Sequence, residues 1–400
     1  MNRIMDFKLL KENIANGFYK KGDAQKADIT NFVESFWQGR DNQTLLESGE
    51  NLEELILLHK ALIREVIDIF PENQSDKNRN LLKENMNIRP IISQFEDGGS
   101  AFGIVIFNTQ REYYLVGDIH SDDESLVKVL EAIHFFDKIV SEVDFKVVFL
   151  GDYVDRGNAH LKTMEWVMLL KVLFPQVVCL LRGNHDGGKF DEDGLIVLPY
   201  RIPEKDDPLS YFPRYLEALI KTNQTVSVDL LSAYFSLFDS LPYLAFLKHP
   251  KGIVQCVHGG LPKPQIVMRQ EGELVYNYSH LNSLSDLTEY QSLDNAGATI
   301  RENLMWSDPL REDEILDISK KRFKYSAENF ENYRSKFGVD LLFRGHEVVD
   351  DGIREHFNKR VFTVFSSGCS ETSFYRWVNP KIVWINHEGK IEGVSLYEEC

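Results

Sequence analysis

The sequence predicts an α/β or α+β fold, a sandwich of two sheets with helices outside, preceded by a helical N-terminal extension. Three observations carry this reading. From Ala101 onward, short runs rich in Val, Ile, Leu, Phe and Tyr alternate with longer segments of helical periodicity. Those runs are apolar on both faces, which fits strands buried beneath helices better than strands with one wet face. Before Ala101 the periodicity is helical throughout.

In chain order, residues 1–95 read as a helical extension or cap packed on a main domain of residues 96–400. The clearest helix covers 52–70, where Leu55, Leu58, Leu62, Val66 and Ile69 recur at three- and four-residue steps. It should stop at Phe70, because Pro71 disfavours helical geometry at the residue before it. The polar stretch 72–80 reads as a linker. Residues 101–107 and 112–116 read as strands joined by a short polar turn. A helix over 122–137, a strand over 146–150, a helix over 161–174 ended near Pro175 and a strand over 177–181 complete a β-α-β-α-β run. Apolar runs at 252–257, 340–343, 360–365 and 381–385 extend the sheets, the last two spaced as if they pair antiparallel. Stretches 187–230 and 265–300 are polar and irregular, and the first is a long insertion.

Four hundred residues with 43% hydrophobic content suffice for a full core. No apolar run reaches the roughly 18 residues a membrane span needs, and no secretory signal follows Met1. The formal net charge of −17 opposes general binding to nucleic acid or anionic membrane. Cys179, Cys256, Cys369 and Cys400 form no CxxC pair, and the first two lie inside apolar runs. This usage fits buried thiols in a reducing cytoplasm, and neither a disulfide scaffold nor a zinc finger.

Five blocks place Asp, Asn or His directly after an apolar run. They are Gly117-Asp118-Ile119-His120, Gly151-Asp152-Tyr153-Val154-Asp155-Arg156-Gly157, Arg182-Gly183-Asn184-His185-Asp186, His258-Gly259-Gly260 and Arg344-Gly345-His346. Asp118 and His120 sit at i and i+2 of an extended segment, so both project to one side and can grip one cation. Asp152 and Asn184 follow at intervals of 34 and 32 residues, each the length of one α-β unit, which sets the strand ends side by side. Asp118, His120, Asp152, Asn184, His258 and His346 are too many ligands for one catalytic ion. Two divalent ions roughly 3.5–4 Å apart and bridged by Asp152 account for them. The mixed oxygen and imidazole donors suit Mn first, with Fe or Zn as alternatives.

The neighbouring residues suit phosphate chemistry. Arg156 and Arg182 flank the ligands, and planar guanidinium forks grip phosphate oxygens. His185 adjoins Asn184 as a general acid, and Asp155 holds its imidazole charged and oriented.

With these blocks, Ser240-Leu241-Pro242-Tyr243, Met305-Trp306-Ser307-Asp308-Pro309 and the segment Arg344 to Gly352, the chain resembles the phosphoprotein phosphatase branch of the metallophosphoesterases over roughly residues 100–385. The resemblance implies a metallophosphoesterase-like two-sheet catalytic domain. It implies one metal on Asp118, His120 and Asp152 and a second on Asp152, Asn184, His258 and His346. A metal-bridging hydroxide would attack phosphorus in line while His185 protonates the leaving oxygen. Arg156, Arg182 and Arg322 would hold the phosphoryl group. The substrate implied is a phosphoserine or phosphothreonine monoester in a phosphoprotein, with phosphotyrosine as a variant, because pocket depth is not legible in sequence.

The chain also departs from the family pattern. Ser121 stands where Gly usually follows Asp-x-His, and Asp186 replaces the common Glu. Segment 365–370 lacks an active-site Tyr that eukaryotic members carry there, which places Cys369 near the cleft instead. Between Asp186 and Asp207 seven acidic and three basic residues leave a net of −4, expected to border the substrate groove and favour basic flanks. The alternative reading is a dinucleotide polyphosphate hydrolase or nuclease of the same superfamily. Many of those carry Gly-His-x-His, whereas here Val348 stands two after His346. A metal-dead scaffold would need a lost ligand, and none is lost.

Overall fold

The computed structural model describes residues 3–49, 51–70, 75–194, 196–197, 210–223, 227–268, 274–289, 297–311, 314, 317, 319–320, 322–398 and 400. Strands Gly99–Ala101, Ile104–Phe107, Leu244–His249, Gly252–Val257, Leu341–Arg344, Val361–Val364 and Ile353–His356 form one sheet in that spatial order. Ile391–Ser395, Lys381–Ile385, Glu112–Val116, Phe145–Phe149 and Val178–Leu180 form the other. The β-α-β-α-β run is the parallel half of this second sheet.

Period-2 alternation sorts the strand residues into layers. Tyr113, Leu115, Val148 and Leu150 meet Val105, Phe107, Val254 and Phe343 in an apolar seam between the sheets. Their sequence neighbours Tyr114, Val116, Val147 and Phe149 face helices on one outer side. Ile104, Ile106, Leu244 and Leu342 face Phe330, Tyr333 and Phe337 of the helix Ala327–Phe337 on the other. Both faces of the central strands of the two sheets are therefore dry, which explains runs without polar alternation.

Several expectations are corrected by turn chemistry. Residues 101–107 are not one strand. Phe102 and Gly103 take positive φ of 55° and 70° and fold the run into a hairpin. The polar turn after Phe107 carries the chain from one sheet to the other, so 104–107 and 112–116 do not pair. The runs 361–364 and 381–385 likewise lie in different sheets, each paired antiparallel with a nearer partner, Ile353–His356 and Ile391–Ser395. The helix expected over 122–137 breaks at His134, whose φ is 50°. The expected linker over 72–80 becomes helical at Asp76, because Ser75 accepts from the Asn78 amide as an N-cap. Within 187–230 the helix Phe212–Thr222 replaces irregular chain. Much of the acidic segment, including residues 198–209, lies outside the described residues.

The Leu52–Ile69 helix ends as expected, with Phe70 beyond its last turn. Its buried Leu55, Leu58, Leu62 and Val66 join the core on the outer face of the second sheet, so the extension shares that core. Each such Leu contributes roughly 1.5–3 kcal/mol. One buried ion network fixes the docking. Arg3 donates both terminal nitrogens to Glu165, at 3.0 and 2.5 Å, and its guanidinium stacks on Phe32 and Phe36. Trp37 and His59 reach the same carboxylate at 3.1 and 3.3 Å, and His59 meets the Tyr234 hydroxyl at 2.5 Å. Among the described residues, no helix is long and apolar enough to cross a membrane.

Arg3→Ala should cost about 3–5 kcal/mol, because it strands a buried carboxylate, and the urea midpoint would read it. A loss below roughly 1 kcal/mol would show that apolar packing alone docks the extension. Acid should act through the same cluster. Burial holds the His59 imidazole below its ordinary 6.5, against the opposing pull of Glu165. Burial favours the neutral acid at Glu165, but His59 and Arg3 outweigh it and hold the carboxyl below 4.5. Both shifts leave the unfolded chain binding more protons, so stability should be full above about pH 6.5 and fall on acidification below it. A flat thermal midpoint from pH 7 to pH 4 would contradict this.

Candidate metal centre

All five blocks sit on the first residues past strands, three from one sheet and two from the other, so the two sheets converge on one cleft. The turns are strained. His120, Ser121, Asp152, Asp155, Arg156 and His346 all have φ between 48° and 74° without being glycine, at roughly 1 kcal/mol or more each. Glycine is required where carboxylates pass close by. A Cβ on Gly183 would lie 2.1 Å from Asp152 Oδ1, and one on Gly345 2.2 Å from Asp118 Oδ1. Ser121 shows why a glycine usually stands at its position. Its φ is 57°, and its Oγ meets His160 Nδ1 at 2.6 Å, which offsets the strain.

Backbone carbonyls orient two of the imidazoles. His120 Nδ1 donates to the Val154 carbonyl at 3.0 Å, which leaves Nε2 3.6 Å from Asp118 Oδ2 and 3.6 Å from Asp152 Oδ2. His258 Nδ1 donates to the Leu150 carbonyl at 2.9 Å, and its Nε2 lies 2.7 Å from Asn184 Oδ1 and 3.3 Å from Asp152 Oδ2. His346 Nδ1 lies 2.7 Å from the same Asn184 oxygen. A carbonyl accepts only, so each bonded Nδ1 carries a proton and Nε2 is the atom left to face a cation, already as a lone pair in His120 and on loss of its second proton in His258. Ligand atoms of His120, Asp152 and His185 lie within 4.8 Å of one another, as do those of Asp152, His258 and His346. These two groups share Asp152 and are consistent with a binuclear metal site. The donors also fit cations by what they lack. Among the described residues, Asp118 Oδ2 and His346 Nε2 are buried without a hydrogen-bond partner, an arrangement that is costly unless a positive centre takes the lone pairs.

Burial and neighbours split the protonation states. Burial, reinforced by His185, drives His120 down to about 3, and burial with Arg322 holds His346 well below the usual imidazole range. Both rings are thus neutral. Burial favours the protonated acid at Asp152, but His258 and His185 outweigh it and hold the carboxyl well below its ordinary range. Burial opposes charge on His258, yet Asp152 carries it up to about 8. Burial raises Asp118 to about 7, reinforced by Asp152 and opposed by His258.

A cleft of about 230 Å³ opens over this group. Asp118, His120, Asn184, His185, His346, Arg156 and Arg322 line it, joined by Trp306, Val348, Phe365 and Tyr375. His185 Nδ1 meets Asp155 Oδ2 at 2.7 Å, the expected pair. Arg322 is about half exposed, and its Nε donates to the buried Asp308 at 2.7 Å. Arg182 does not line the cleft. It bridges Asp239 at 2.8 Å, the Tyr243 hydroxyl at 3.2 Å and the Asp186 carbonyl at 3.1 Å, so it braces the third block from behind.

Four supports escape a sequence reading. Asp186 accepts from the amides of Asp152, Tyr153 and Gly183 at 2.7, 2.9 and 2.8 Å, which locks the second and third blocks together. Burial and repulsion from Asp152 push its carboxyl up to about 7. Asp308, within the Trp-Ser-Asp-Pro block, holds Arg322 on one oxygen and Arg344 on the other. Tyr211 accepts from Arg156 Nη1 at 2.7 Å and stacks beneath its guanidinium, while the Phe212 amide donates to Asp155 at 2.7 Å. Tyr375 lines the cleft, so a tyrosine is present after all, delivered from further along the loop than the family position. Cys369 is not in the cleft, and it is disulfide-bonded to Cys400 with Cα atoms 5.2 Å apart. The hairpin Lys381–Ile385 with Ile391–Ser395 returns the chain to that loop, a closeness the 31-residue separation hides.

A family model described as calcineurin-like phosphoesterase matches residues 113–350. Among curated proteins, the chain is 28% identical over 292 residues to a probable serine/threonine-protein phosphatase of Encephalitozoon cuniculi, covering 69% of this chain and 52% of that protein. The chain therefore spans about half the length of that relative. It is 27% identical over 292 residues to serine/threonine-protein phosphatase PP1-1 of Saccharomyces cerevisiae, covering 72% of this chain and 74% of that one. Among solved structures, a protein serine/threonine phosphatase from Saccharomyces cerevisiae with similarity to human phosphatase PP5 superposes at a TM-score of 0.51. Identity there is 16% over 86% of this chain and 91% of that one, a likeness of fold alone.

Asp186→Ala leaves three buried amides without an acceptor. It should cost about 2–4 kcal/mol and weaken binding of divalent cations in titration calorimetry. Unchanged cation affinity would show that the two blocks keep register without it.

Proposed function

The chain belongs to the calcineurin-like phosphoesterase family, and from that premise we propose that it is a metal-dependent phosphoprotein phosphatase acting on phosphoserine and phosphothreonine monoesters. One observation carries the reading. Two guanidinium groups and a carboxylate-paired imidazole open onto the same cleft as the shared-carboxylate donor set. That combination suits a phosphoryl dianion with a leaving oxygen that needs a proton. Relatives described as serine/threonine-protein phosphatases support a protein substrate. Val348, where the Gly-His-x-His pattern would place a second His, lines the cleft as an apolar side chain and speaks against a nuclease.

In this reading Asp118, His120 and Asp152 would hold one divalent ion, and Asp152, Asn184, His258 and His346 would hold the other, with Mn the proposed metal. When bound, such ions neutralise phosphoryl charge and make water nucleophilic near neutral pH. The protein does the rest. Arg156 and Arg322 grip phosphoryl oxygens, each aimed by a partner, Tyr211 and Asp308. His185 gives its Nε2 proton to the leaving oxygen, while Asp155 accepts a hydrogen bond from Nδ1–H, orients the ring and stabilises its charge before the transfer. Arg182 contributes by fixing the third block.

The test is phosphate release from a phosphopeptide panel with Mn²⁺. His185→Asn should lower kcat about 10²–10⁴-fold, and Asp152→Asn should abolish activity. Full activity in Asp152→Asn would sink the two-metal reading. Tyr211→Phe should lower kcat/KM roughly tenfold, the worth of one hydrogen bond to a charged group. It should have little further effect in an Arg156→Ala background. Equal losses in both backgrounds would show that Tyr211 acts through something other than Arg156.

A further inference from the structure

Residues 366–378 connect the strand Val361–Val364 to Lys381–Ile385 and contain no regular element longer than a turn. They are nevertheless held firmly. The fully buried Asp122 accepts from Ser367 Oγ at 2.9 Å, Gly368 N at 3.1 Å, Ser370 Oγ at 2.6 Å and Thr372 Oγ1 at 3.0 Å. The Asn158 amide donates to the Thr372 carbonyl at 2.9 Å, and Cys369 is bonded to Cys400.

Against that anchoring, the tip of the loop is out of place. Phe374 and Trp377 are 53% and 61% exposed. Between them the buried Tyr375 lines the cleft, with its ring 5.6 Å from His120 and 5.0 Å from Phe365. Phe374 and Trp377 lean on Tyr375 at 5.1 and 5.7 Å and on each other at 6.3 Å. A pair of aromatic rings is thus held in water on the rim of the cleft by a loop already ordered. Binding there costs little ordering entropy, and rigid aromatic anchors are where recognition energy concentrates.

We propose that Phe374 and Trp377 form an aromatic platform that takes an apolar or aromatic side chain of the substrate polypeptide, so that phosphosites with such a neighbour are preferred. This rests on the phosphoprotein reading above. The occupant follows from continuity with the cleft. Trp377 stands two ring contacts of 5.6 and 5.7 Å from His120. At roughly 3.4 Å per extended residue, those two steps span at most about three positions along a bound chain.

The test compares kcat/KM for three substrates on the full chain with Mn²⁺: O-phosphoserine, an Ala-flanked phosphopeptide, and the same peptide with Leu or Phe scanned about four positions to either side. The native enzyme should favour one apolar-flanked peptide about tenfold over the Ala-flanked peptide. Phe374→Ser with Trp377→Ser should erase that preference while O-phosphoserine hydrolysis stays within about twofold, and Trp377→Tyr should retain most of it. Equal turnover of all peptides by the native enzyme would overturn the platform alone. Loss of O-phosphoserine hydrolysis in both variants would overturn it too, marking the loop as a support of the cleft. Self-association that vanishes in the double variant while peptide preference persists would assign the patch to a second copy. Hydrolysis of O-phosphoserine with none of any phosphopeptide would overturn the phosphoprotein reading itself.

Discussion

The placement of Asp152 is the constraint on which the cleft depends. Its backbone is held left-handed, its amide donates to Asp186, and its carbonyl accepts from the amides of Ile119 and His120 at 3.1 and 2.9 Å. Its side chain accepts from the His185 amide and lies within reach of His120 and His258. One residue thus ties together four of the five blocks, drawn from both sheets. That explains why the surrounding turns tolerate so much positive φ. The geometry is held by several hydrogen bonds at once, which offset the strain of the individual turns.

The parts legible in sequence share a character. Each candidate donor lies within four residues of the end of its own strand, so Asp118, Asp152, Asn184, His258 and His346 are placed by local order plus one topological rule about strand ends. What escapes depends on chain segments meeting from afar. Asp186 reads as a substituted Glu until its three amide partners are seen. Tyr375 reads as absent because the loop carrying it is shaped by Asp122, some 250 residues earlier. Arg182 reads like Arg156 because both adjoin ligands, yet Asp239 and Tyr243 turn its guanidinium away from the cleft. The sheet assignments fail for a related reason. The runs 104–107 and 112–116, like 361–364 and 381–385, are neighbours along the chain, and nothing in their composition says which of two dry faces each will join.

Two segments outside the repeated motifs turn out to buttress them. Asn42, in the extension, accepts the His160 amide at 3.1 Å, and His160 in turn meets Ser121, beside His120. On the other flank, Tyr211 and Phe212 of the insertion hold Arg156 and Asp155. The regions least like the family pattern are therefore in contact with its most characteristic residues. Departures such as Ser121 read as adjustments to these neighbours.

The ion network at Glu165 has a consequence for how the chain is made. Arg3 meets its carboxylate 162 residues later, and His59 meets Tyr234 175 residues further along than itself. The helices before residue 70 therefore cannot complete their core until residues 160–240 have left the ribosome. Until then a cationic and apolar face waits uncovered, through a loop closure whose entropy cost local contacts do not offset. These helices can complete their packing only once Glu165 and Tyr234 are present, and the interval before that leaves their apolar faces open to misassembly.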